Sequence, residues 1–313
     1  MTTLNILMAQ LNTRVGDFEG NARQVITVAE RAAAQHPDAI CVFPELTLSG
    51  YPPEDLLLRS SVERRVQRAL DLLCRELPPN LVAVLGYPAR REGALANLAG
   101  VISGGRIVAE YAKRCLPNYQ VFDEKRYFTP GREAVTLPVQ GVSIALSICE
   151  DIWEDAPIAD AAAAGAQLLL NLNSSPYHRG KQAERETLVA LRAQSAGLPV
   201  VYVNQVGGQD ELVFDGGSFA VDSGGAVSAR AACFVEAEHW VHVDFGDSAA
   251  AVHGEHAVAP ADELDTTWQA LVTGLRDYVD KNGFPGVVLG LSGGVDSALT
   301  LALAVDALGA DRV

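Results

Sequence analysis

Three reactive side chains of different kinds follow predicted β-strands in this sequence. Glu45, Lys113 and Cys149 each come close after a short apolar run that is typical of a buried or half-buried strand. Side chains at strand ends lie at the rim of a sheet, where the chemistry of a protein is usually found. A carboxylate, an ammonium and a thiol at one rim could together perform nucleophilic catalysis with a base and a stabilised oxyanion.

Cys149 is the best placed of five cysteines to be a nucleophile. A buried strand ends at Ile148 and a turn or helix follows, so backbone N–H groups can point at the thiol, lower its pKa and hold an oxyanion. The alternative is a buried structural cysteine, which is the usual fate of a free thiol and fits the other four. The odd count, without a CxxC pair or zinc-like spacing, predicts free thiols in a reducing, cytoplasmic compartment.

The base that such a thiol needs is predicted to be a carboxylate. Of six histidines, His178 alone falls in a plausible rim loop. Glu45, which follows an apolar run and Pro44, is the candidate, and a capping carboxylate is the alternative. Lys113 is one of four lysines among 24 basic residues. A lysine kept where arginine is preferred can act as a compact point charge, although a strand-terminal surface lysine is the other interpretation.

Length, composition and pattern restrict the class of protein. The chain has 313 residues and a net charge of −15, which predicts about two domains and disfavours nucleic acid or an anionic membrane as a partner. Strand and helix patterns alternate over residues 1–246 and predict an α/β sandwich with helices outside. Residues 247–261 are interpreted as a linker. Residues 262–313 hold two predicted helices and one strand, at 286–291, and we expect an incomplete second domain there.

A glycine-containing loop follows the predicted strand of the second segment. The run Gly290-Leu291-Ser292-Gly293-Gly294-Val295-Asp296-Ser297 lets backbone N–H groups approach a phosphate at a helix N-terminus. Ser292 and Ser297 can donate to phosphate oxygens, and Asp296 can help to hold Mg²⁺. A bare Gly-Gly pair is otherwise an ordinary turn. The loop lacks the Gly-Lys-Ser ending of a Walker A motif.

Three motifs together resemble the signatures of the nitrilase, or carbon–nitrogen hydrolase, superfamily. They occur in the family's order within residues 4–245, as Phe43-Pro44-Glu45-Leu46, Tyr111-Ala112-Lys113-Arg114-Cys115-Leu116-Pro117 and Ile148-Cys149-Glu150-Asp151. The resemblance implies a nitrilase-like α-β-β-α sandwich. It also implies Glu45 as general base, Lys113 as oxyanion stabiliser and Cys149 as nucleophile.

The stretches around these motifs narrow the resemblance. They resemble the glutaminase domain of glutamine-dependent NAD synthetases. The stretches that carry this similarity are Leu116-Pro117-Asn118-Tyr119, Phe122-Asp123-Glu124-Lys125-Arg126-Tyr127-Phe128 and Asn173-Ser174-Ser175-Pro176-Tyr177-His178. This similarity implies glutamine contacts from Tyr119, Ser175 and Lys181, with Glu124 and Glu150 as supporting carboxylates. Ordinary loop packing is the alternative for Tyr119 and Ser175.

The loop at 290–297 resembles the pyrophosphate-binding loop of ATP pyrophosphatases. The resemblance implies a truncated start of a Rossmann-like domain that uses ATP, Mg²⁺ and deamido-NAD, whereas the glutaminase step needs no metal or cofactor. By analogy with the family, we expect a homo-oligomer assembled through the nitrilase-like domains.

We hypothesise that Cys149 attacks the side-chain amide of L-glutamine while Glu45 moves the thiol proton to the leaving ammonia. Lys113 and the backbone N–H after Cys149 would stabilise the oxyanion, and water would release glutamate from the thioester. Ammonia would then convert deamido-NAD to NAD at the cost of ATP. A stand-alone amidase and a scaffold with a silenced site are the alternatives; the 290–297 loop argues against the first, and the three intact residues argue against the second.

Overall fold

Two β-sheets packed face to face form the centre of the molecule. The computed structural model describes residues 2–246, 250–257 and 262–313. The strands in these ranges are β1 (Thr2–Gln10), β2 (Ile40–Val42), β3 (Val82–Arg91), β4 (Ala94–Ser103), β5 (Arg106–Ala112), β6 (Thr136–Val139), β7 (Val142–Ile148), β8 (Leu168–Asn173), β9 (Val200–Asn204), β10 (Val206–Gln209), β11 (Leu212–Asp215), β12 (Phe219–Val221), β13 (Val227–Arg230), β14 (Ala237–Phe245) and β15 (Ala251–Gly254). The helices are α1 (Phe18–Gln35), α2 (Val62–Glu76), α3 (Asp155–Ala163), α4 (Lys181–Ala196), α5 (Glu263–Lys281) and α6 (Val295–Leu308).

The order of the strands brings several strand ends to one region. One sheet has the order β15-β14-β1-β2-β3-β4-β5, the other has the order β13-β12-β9-β8-β7-β6, and β10 and β11 form a separate hairpin. The strands β1, β2 and β3 are parallel to one another, as are β7, β8 and β9. Parallel strands place their carboxyl ends at the same edge of a sheet. Glu45 follows β2, Cys149 follows β7 and Ser174 follows β8 at these edges.

Alternating side chains divide the core into layers. In β1, Leu4, Ile6 and Met8 are fully buried against the facing sheet, whereas Leu7 and Ala9 pack with residues of α1 and α2. On the other side, α3 and α4 cover the outer face of the six-stranded sheet. The layers therefore follow the order α-β-β-α, and the fold class predicted from the sequence is confirmed.

Local sequence explains where the helices begin and which faces they bury. Asp17 caps α1 by accepting a hydrogen bond from the N–H of Gly20 at 3.1 Å. Helix α4 buries Arg185, Val189 and Ala193 at four-residue spacing. An arginine thus occupies one position of an otherwise apolar stripe.

The described residues include strands that the sequence patterns do not predict, namely β6, β10, β11 and β15, each four residues long. Strand β15 falls within the predicted linker, at 247–261, and pairs with β14; residues 247–249 and 258–261 of that linker lie outside the described residues. The strand predicted at 286–291 does not form, since the described part of this segment offers no neighbouring strand.

Helix α5 docks residues 262–313 onto the sandwich. Asp277 Oδ2 accepts hydrogen bonds from the N–H of Gly208 and from Asn12 Nδ2, both at 2.7 Å. Lys281 Nζ donates to the carbonyl oxygens of Thr13 and Gly208, both at 2.9 Å. The β10–β11 hairpin is therefore held between the sandwich and α5. Of the helices in the described ranges, none has the length and apolar character that crossing a membrane requires.

Candidate active site

Glu45 lies in the turn after β2 and is completely buried. Its Oε1 accepts hydrogen bonds from Lys113 Nζ and Asn97 Nδ2, both at 2.7 Å. Its Oε2 accepts a hydrogen bond from the backbone N–H of Ser174 at 3.2 Å. These three donors hold the carboxylate in one orientation, and none of them is an exposed helix-terminal N–H, as the capping alternative would require.

Lys113 lies between two carboxylates and is not a surface lysine. The side chain is fully buried after β5, and its ammonium donates to Glu45 and to Glu124 Oε1, the latter at 2.8 Å. Burial lowers the pKa of this ammonium, but Glu124 and Glu45 outweigh that effect, and the net pKa is raised well above the ordinary value. Lys113 is therefore a permanent cation at neutral pH.

Glu124 supports the ammonium from the other side. Its Oε1 also accepts a hydrogen bond from the hydroxyl of Tyr51 at 2.9 Å. Burial raises the pKa of Glu124 to about 7, although Lys113 opposes the shift. Its Oε2 is buried without a hydrogen-bond partner among the described residues. Glu124 can consequently change protonation state near neutral pH.

Cys149 begins a tight 3-10 turn at the end of β7. Its φ of 44° lies in the left-handed region, which non-glycine residues rarely occupy. The carboxylate of Asp151 holds the turn by accepting hydrogen bonds from the N–H groups of Ile148, at 2.9 Å, and Cys115, at 2.8 Å. The thiol is buried, and burial together with the charge of Glu45 raises its pKa well above that of a free cysteine. The lowered thiol pKa predicted from the strand end is therefore wrong, because burial outweighs the opposing charge of Lys113.

A cavity of about 240 Å³ opens beside Cys149. Among the residues that line it are all three predicted glutamine contacts, Tyr119, Ser175 and Lys181, and also Glu150. The structure thus brings these side chains to one cavity together with the thiol. Glu45 and Lys113 are not part of its lining, since both lie deeper in the protein.

Charges of both signs face this cavity. The hydroxyl of Tyr119 lies 3.0 Å from each carboxylate oxygen of Glu150. Burial raises the pKa of Glu150, and the hydrogen bond from Tyr119 opposes that shift. Lys181 Nζ lies 3.8 Å from the centre of the Trp153 ring and 3.1 Å from Glu184 Oε2. The cavity therefore offers a carboxylate and an ammonium beside the thiol.

The loop at 290–297 is separate from this cavity and contributes nothing to its lining. The hydroxyl oxygens of Ser292 and Ser297 lie 3.0 Å apart, and the N–H of Gly294 donates to Ser292 Oγ at 3.4 Å. Helix α6 begins at Val295, so Asp296 stands in its first turn. The loop is exposed at the N-terminus of a helix, which is a geometry that can bind a phosphate.

Several residues that organise the site are not singled out by the sequence analysis. Asn97 holds Glu45, Tyr51 holds Glu124, Asp151 holds the turn at Cys149, and Arg185 holds the loop of Ser175. For two of them a signal exists: Asn97 is a polar residue inside an apolar strand, and Arg185 falls on the apolar stripe of α4.

One known protein family matches the part of the chain that holds this site. The sequence model of the carbon-nitrogen hydrolase family matches residues 6–251.

The chain belongs to the carbon-nitrogen hydrolase family. The sequence model of a second family, NAD synthase, matches residues 267–313. The carbon-nitrogen hydrolase match covers α1 to α4 and the strands of both sheets up to the start of β15. The NAD synthase match includes α6 and the loop before it.

Known relatives align with nearly the whole of this chain. The glutamine-dependent NAD(+) synthetase of Xylella fastidiosa (strain 9a5c) is 45% identical over 314 residues, which cover 99% of this chain and 57% of that protein. The enzyme of the same name from Acinetobacter baylyi is 40% identical, and the match covers 100% of this chain and 57% of that protein. The chain therefore spans a little more than half the length of these relatives.

Solved structures of a synthetase and of an amidase are similar to this fold. The glutamine-dependent NAD+ synthetase from Acinetobacter baumannii, in complex with ADP, has a TM-score of 0.95 and 39% identity, covering 100% of this chain and 59% of that one. An amidase from Nesterenkonia sp. has a TM-score of 0.69 and 25% identity, covering 78% of this chain and 91% of that one.

Proposed function

We propose that the site around Glu45, Lys113 and Cys149 hydrolyses L-glutamine to glutamate and ammonia. The observation that carries this proposal is a neutral thiol that faces a charged cavity and is backed by a buried carboxylate–ammonium pair. A free amino acid brings an ammonium and a carboxylate of its own. Glu150, with Tyr119, would bind the first, and Lys181 and Ser175 would bind the second.

The protonation states determine the first half of the reaction. Because the thiol is neutral, Glu45 accepts the Sγ proton as sulfur attacks the amide carbon, and the C=O electron pair moves onto oxygen. The Lys113 ammonium and the backbone N–H after Cys149 stabilise this oxyanion. The C=O bond then re-forms, the C–N bond breaks, Glu45 donates its proton to nitrogen, ammonia leaves and a thioester remains.

The second half of the reaction uses the same groups. Glu45 accepts a proton from water as the oxygen attacks the thioester, and it returns that proton to the departing sulfur, which releases glutamate. Glu124 remains beside Lys113 when Glu45 is protonated and neutral. The hydrogen bond from Lys113 Nζ to Glu124, at 2.8 Å, thus keeps the ammonium in position throughout the cycle.

We also propose that the ammonia serves an ATP-dependent conversion of deamido-NAD to NAD. This is supported by the NAD synthase match at 267–313 and by the activity named for the relatives. The backbone of 290–297, with Ser292 and Ser297, would bind the pyrophosphate of ATP. Asp296 would hold Mg²⁺ together with phosphate oxygens, a donor set that suits this ion, which would neutralise phosphate charge. We propose a cytoplasmic location because the cysteine pattern predicts free thiols, and a homo-oligomer by analogy with the family.

A second candidate function is an amidase that acts on another amide. It is favoured by the likeness of the sandwich to the Nesterenkonia amidase, of which one solved variant carries a covalent acetamide moiety at its active site cysteine. The two functions differ in substrate, because a simple amide has no amino-acid head group for Glu150 and Lys181 to bind.

Glutamate release from L-glutamine by this chain tests the proposal. We expect no release above background from Cys149→Ala, and a fall of on the order of 10²- to 10⁴-fold in kcat from Glu45→Gln. Glu110→Gln is the matched control, since Glu110 is a part-buried carboxylate that accepts a hydrogen bond from Tyr87 away from the cavity. Release by Cys149→Ala would contradict the proposal, and faster turnover of acetamide than of glutamine would favour the amidase.

A further inference from the structure

Arg185 is a completely buried arginine that the proposed reaction does not use. Its exposed fraction is 0%, and it shares the buried face of α4 with Val189 and Ala193, where an apolar side chain would be expected. A buried charge destabilises a protein unless it is paired and its hydrogen-bonding groups are satisfied. The contacts of Arg185 therefore indicate the structural role of this side chain.

Every donor of the guanidinium has an acceptor. Nη1 donates to both carboxylate oxygens of Asp215, at 2.8 and 2.9 Å, and to Gln182 Oε1 at 3.3 Å. Nη2 donates to the carbonyl oxygens of Ser175 and Pro176, at 2.8 and 2.9 Å, and Nε donates to Ser175 Oγ at 3.2 Å. Three of these contacts are to the loop that lines the cavity beside Cys149. Lysine, with three donors and no planar fork, could not reproduce them.

These contacts determine how Ser175 faces the cavity. Its carbonyl oxygen is directed to the guanidinium, and its N–H donates to Asn204 Oδ1 at 2.9 Å. Its Oγ accepts the Nε–H of Arg185, so the hydroxyl keeps its own proton for donation to another group. Ser175 is thereby presented as a donor, which is the role that a substrate carboxylate requires.

The same arginine links Ser175 to Lys181. Lys181 begins α4 four residues before Arg185, so both residues lie on one side of the helix, one turn apart. Because Arg185 holds the Ser175 loop against this helix, it sets the separation between the Ser175 hydroxyl and the Lys181 ammonium. Asp215, at the end of β11, holds the guanidinium from the opposite side.

We infer that Arg185 is a positioning residue that presents Ser175 and Lys181 as paired donors to the α-carboxylate of glutamine. This inference rests on the proposed glutamine hydrolysis. It predicts that Arg185 controls recognition of the amino-acid head group and leaves the chemical reactivity of Cys149 unchanged.

Two alkylating reagents separate recognition from reactivity. A diazoketone analogue of L-glutamine takes the thiol proton on its diazo carbon, loses N₂ and forms a C–S bond with Cys149. Iodoacetamide alkylates the same sulfur, with loss of iodide and a proton, without needing the head group. Peptide mass mapping would give both labelling rates at Cys149 for the 313-residue chain. In Arg185→Lys, we expect the diazoketone rate to fall on the order of 10- to 100-fold and the iodoacetamide rate to stay within about 3-fold.

Matched variants keep the inference falsifiable. Arg230→Lys weakens a bidentate ion pair with Glu186 of the same helix and should change neither rate. If Arg185→Lys does not fold, as circular dichroism and thermal melting would show, Arg185→Met with Asp215→Leu removes both charges at similar volume and should give the same ratio of rates.

The possible results distinguish a failure of the positioning role of Arg185 from a failure of the proposed glutamine hydrolysis. An equal fall of both rates, or no fall of either, would overturn the positioning role alone. A wild-type chain that reacts no faster with the glutamine-like diazoketone than with a diazoketone lacking the head group would overturn the proposed function, and this inference with it.

Discussion

The ammonium of Lys113 lies 2.7 Å from Glu45 Oε1, and neither side chain is accessible to solvent. Removing one partner from such a pair would leave an uncompensated buried charge. Glu124 adds a second carboxylate at 2.8 Å from the same nitrogen. One compact cation thus stands between two acids, and the site depends on its size as well as on its charge.

Replacing Lys113 with arginine should therefore inactivate the site without removing the charge. The guanidinium is planar and larger than the ammonium, so it cannot occupy the same point between Glu45 and Glu124. For Lys113→Arg we expect kcat for glutamate release to fall on the order of 10²- to 10³-fold with little change in KM. The exposed Lys125→Arg is the control, and a rate within about 10-fold of wild type in Lys113→Arg would contradict the oxyanion role.

Glu124 should make stability depend on pH in a defined direction. Its pKa in the folded protein is about 7, against an ordinary 4.5. Between these pH values the folded state holds a proton that the unfolded chain has released, so the free energy of unfolding falls as pH rises through this window. The difference in that free energy between wild type and Glu124→Gln should fall from pH 5 to pH 7.5 by up to about 3 kcal/mol. Urea unfolding at several pH values measures it, and a constant difference would refute the assignment.

Gly86 should tolerate no side chain because the turn that carries Glu45 lies against it. An added Cβ would lie 2.1 Å from the backbone nitrogen of Leu46 and 2.7 Å from the carbonyl carbon of Glu45. Gly86→Ala should lower the free energy of unfolding by about 3 kcal/mol or more and reduce kcat by displacing the carboxylate. Thermal melting and glutamate release check this. Gly224→Ala, in an exposed turn, should change stability by less than about 0.5 kcal/mol.

Lys281 should stabilise the docking of α5. Its ammonium bonds two carbonyl oxygens, of Thr13 and Gly208, that would otherwise be left without this donor. Burial lowers its pKa, and Asp277 opposes that shift. For Lys281→Met we expect a loss of about 1–3 kcal/mol and faster amide exchange at Gly208. Lys125→Met, at an exposed position, is the comparison; equal effects of the two changes would contradict a docking role.

Local sequence patterns predicted most of the elements that position the site. Helix α4 and strand β9 occur at the predicted residues, because amphipathic spacing and short apolar runs between turn residues are local signals. Local patterns did not predict strands β10 and β11. This hairpin packs against α5, which comes from a distant part of the chain. The region at 286–291 is apolar enough for a strand, but a strand needs a neighbour to bond with.

The sequence by itself determined the fold class, and its strand ends and three spaced motifs single out Glu45, Lys113 and Cys149 as candidate reactive groups. Tertiary structure alone decided how these groups behave. Lys113 is shared by two carboxylates and the thiol is neutral, because pKa values follow from burial and from charges that lie far apart in the chain. The role of Arg185 likewise depends on its contacts with Asp215 and Ser175, and no local sequence pattern predicts these contacts.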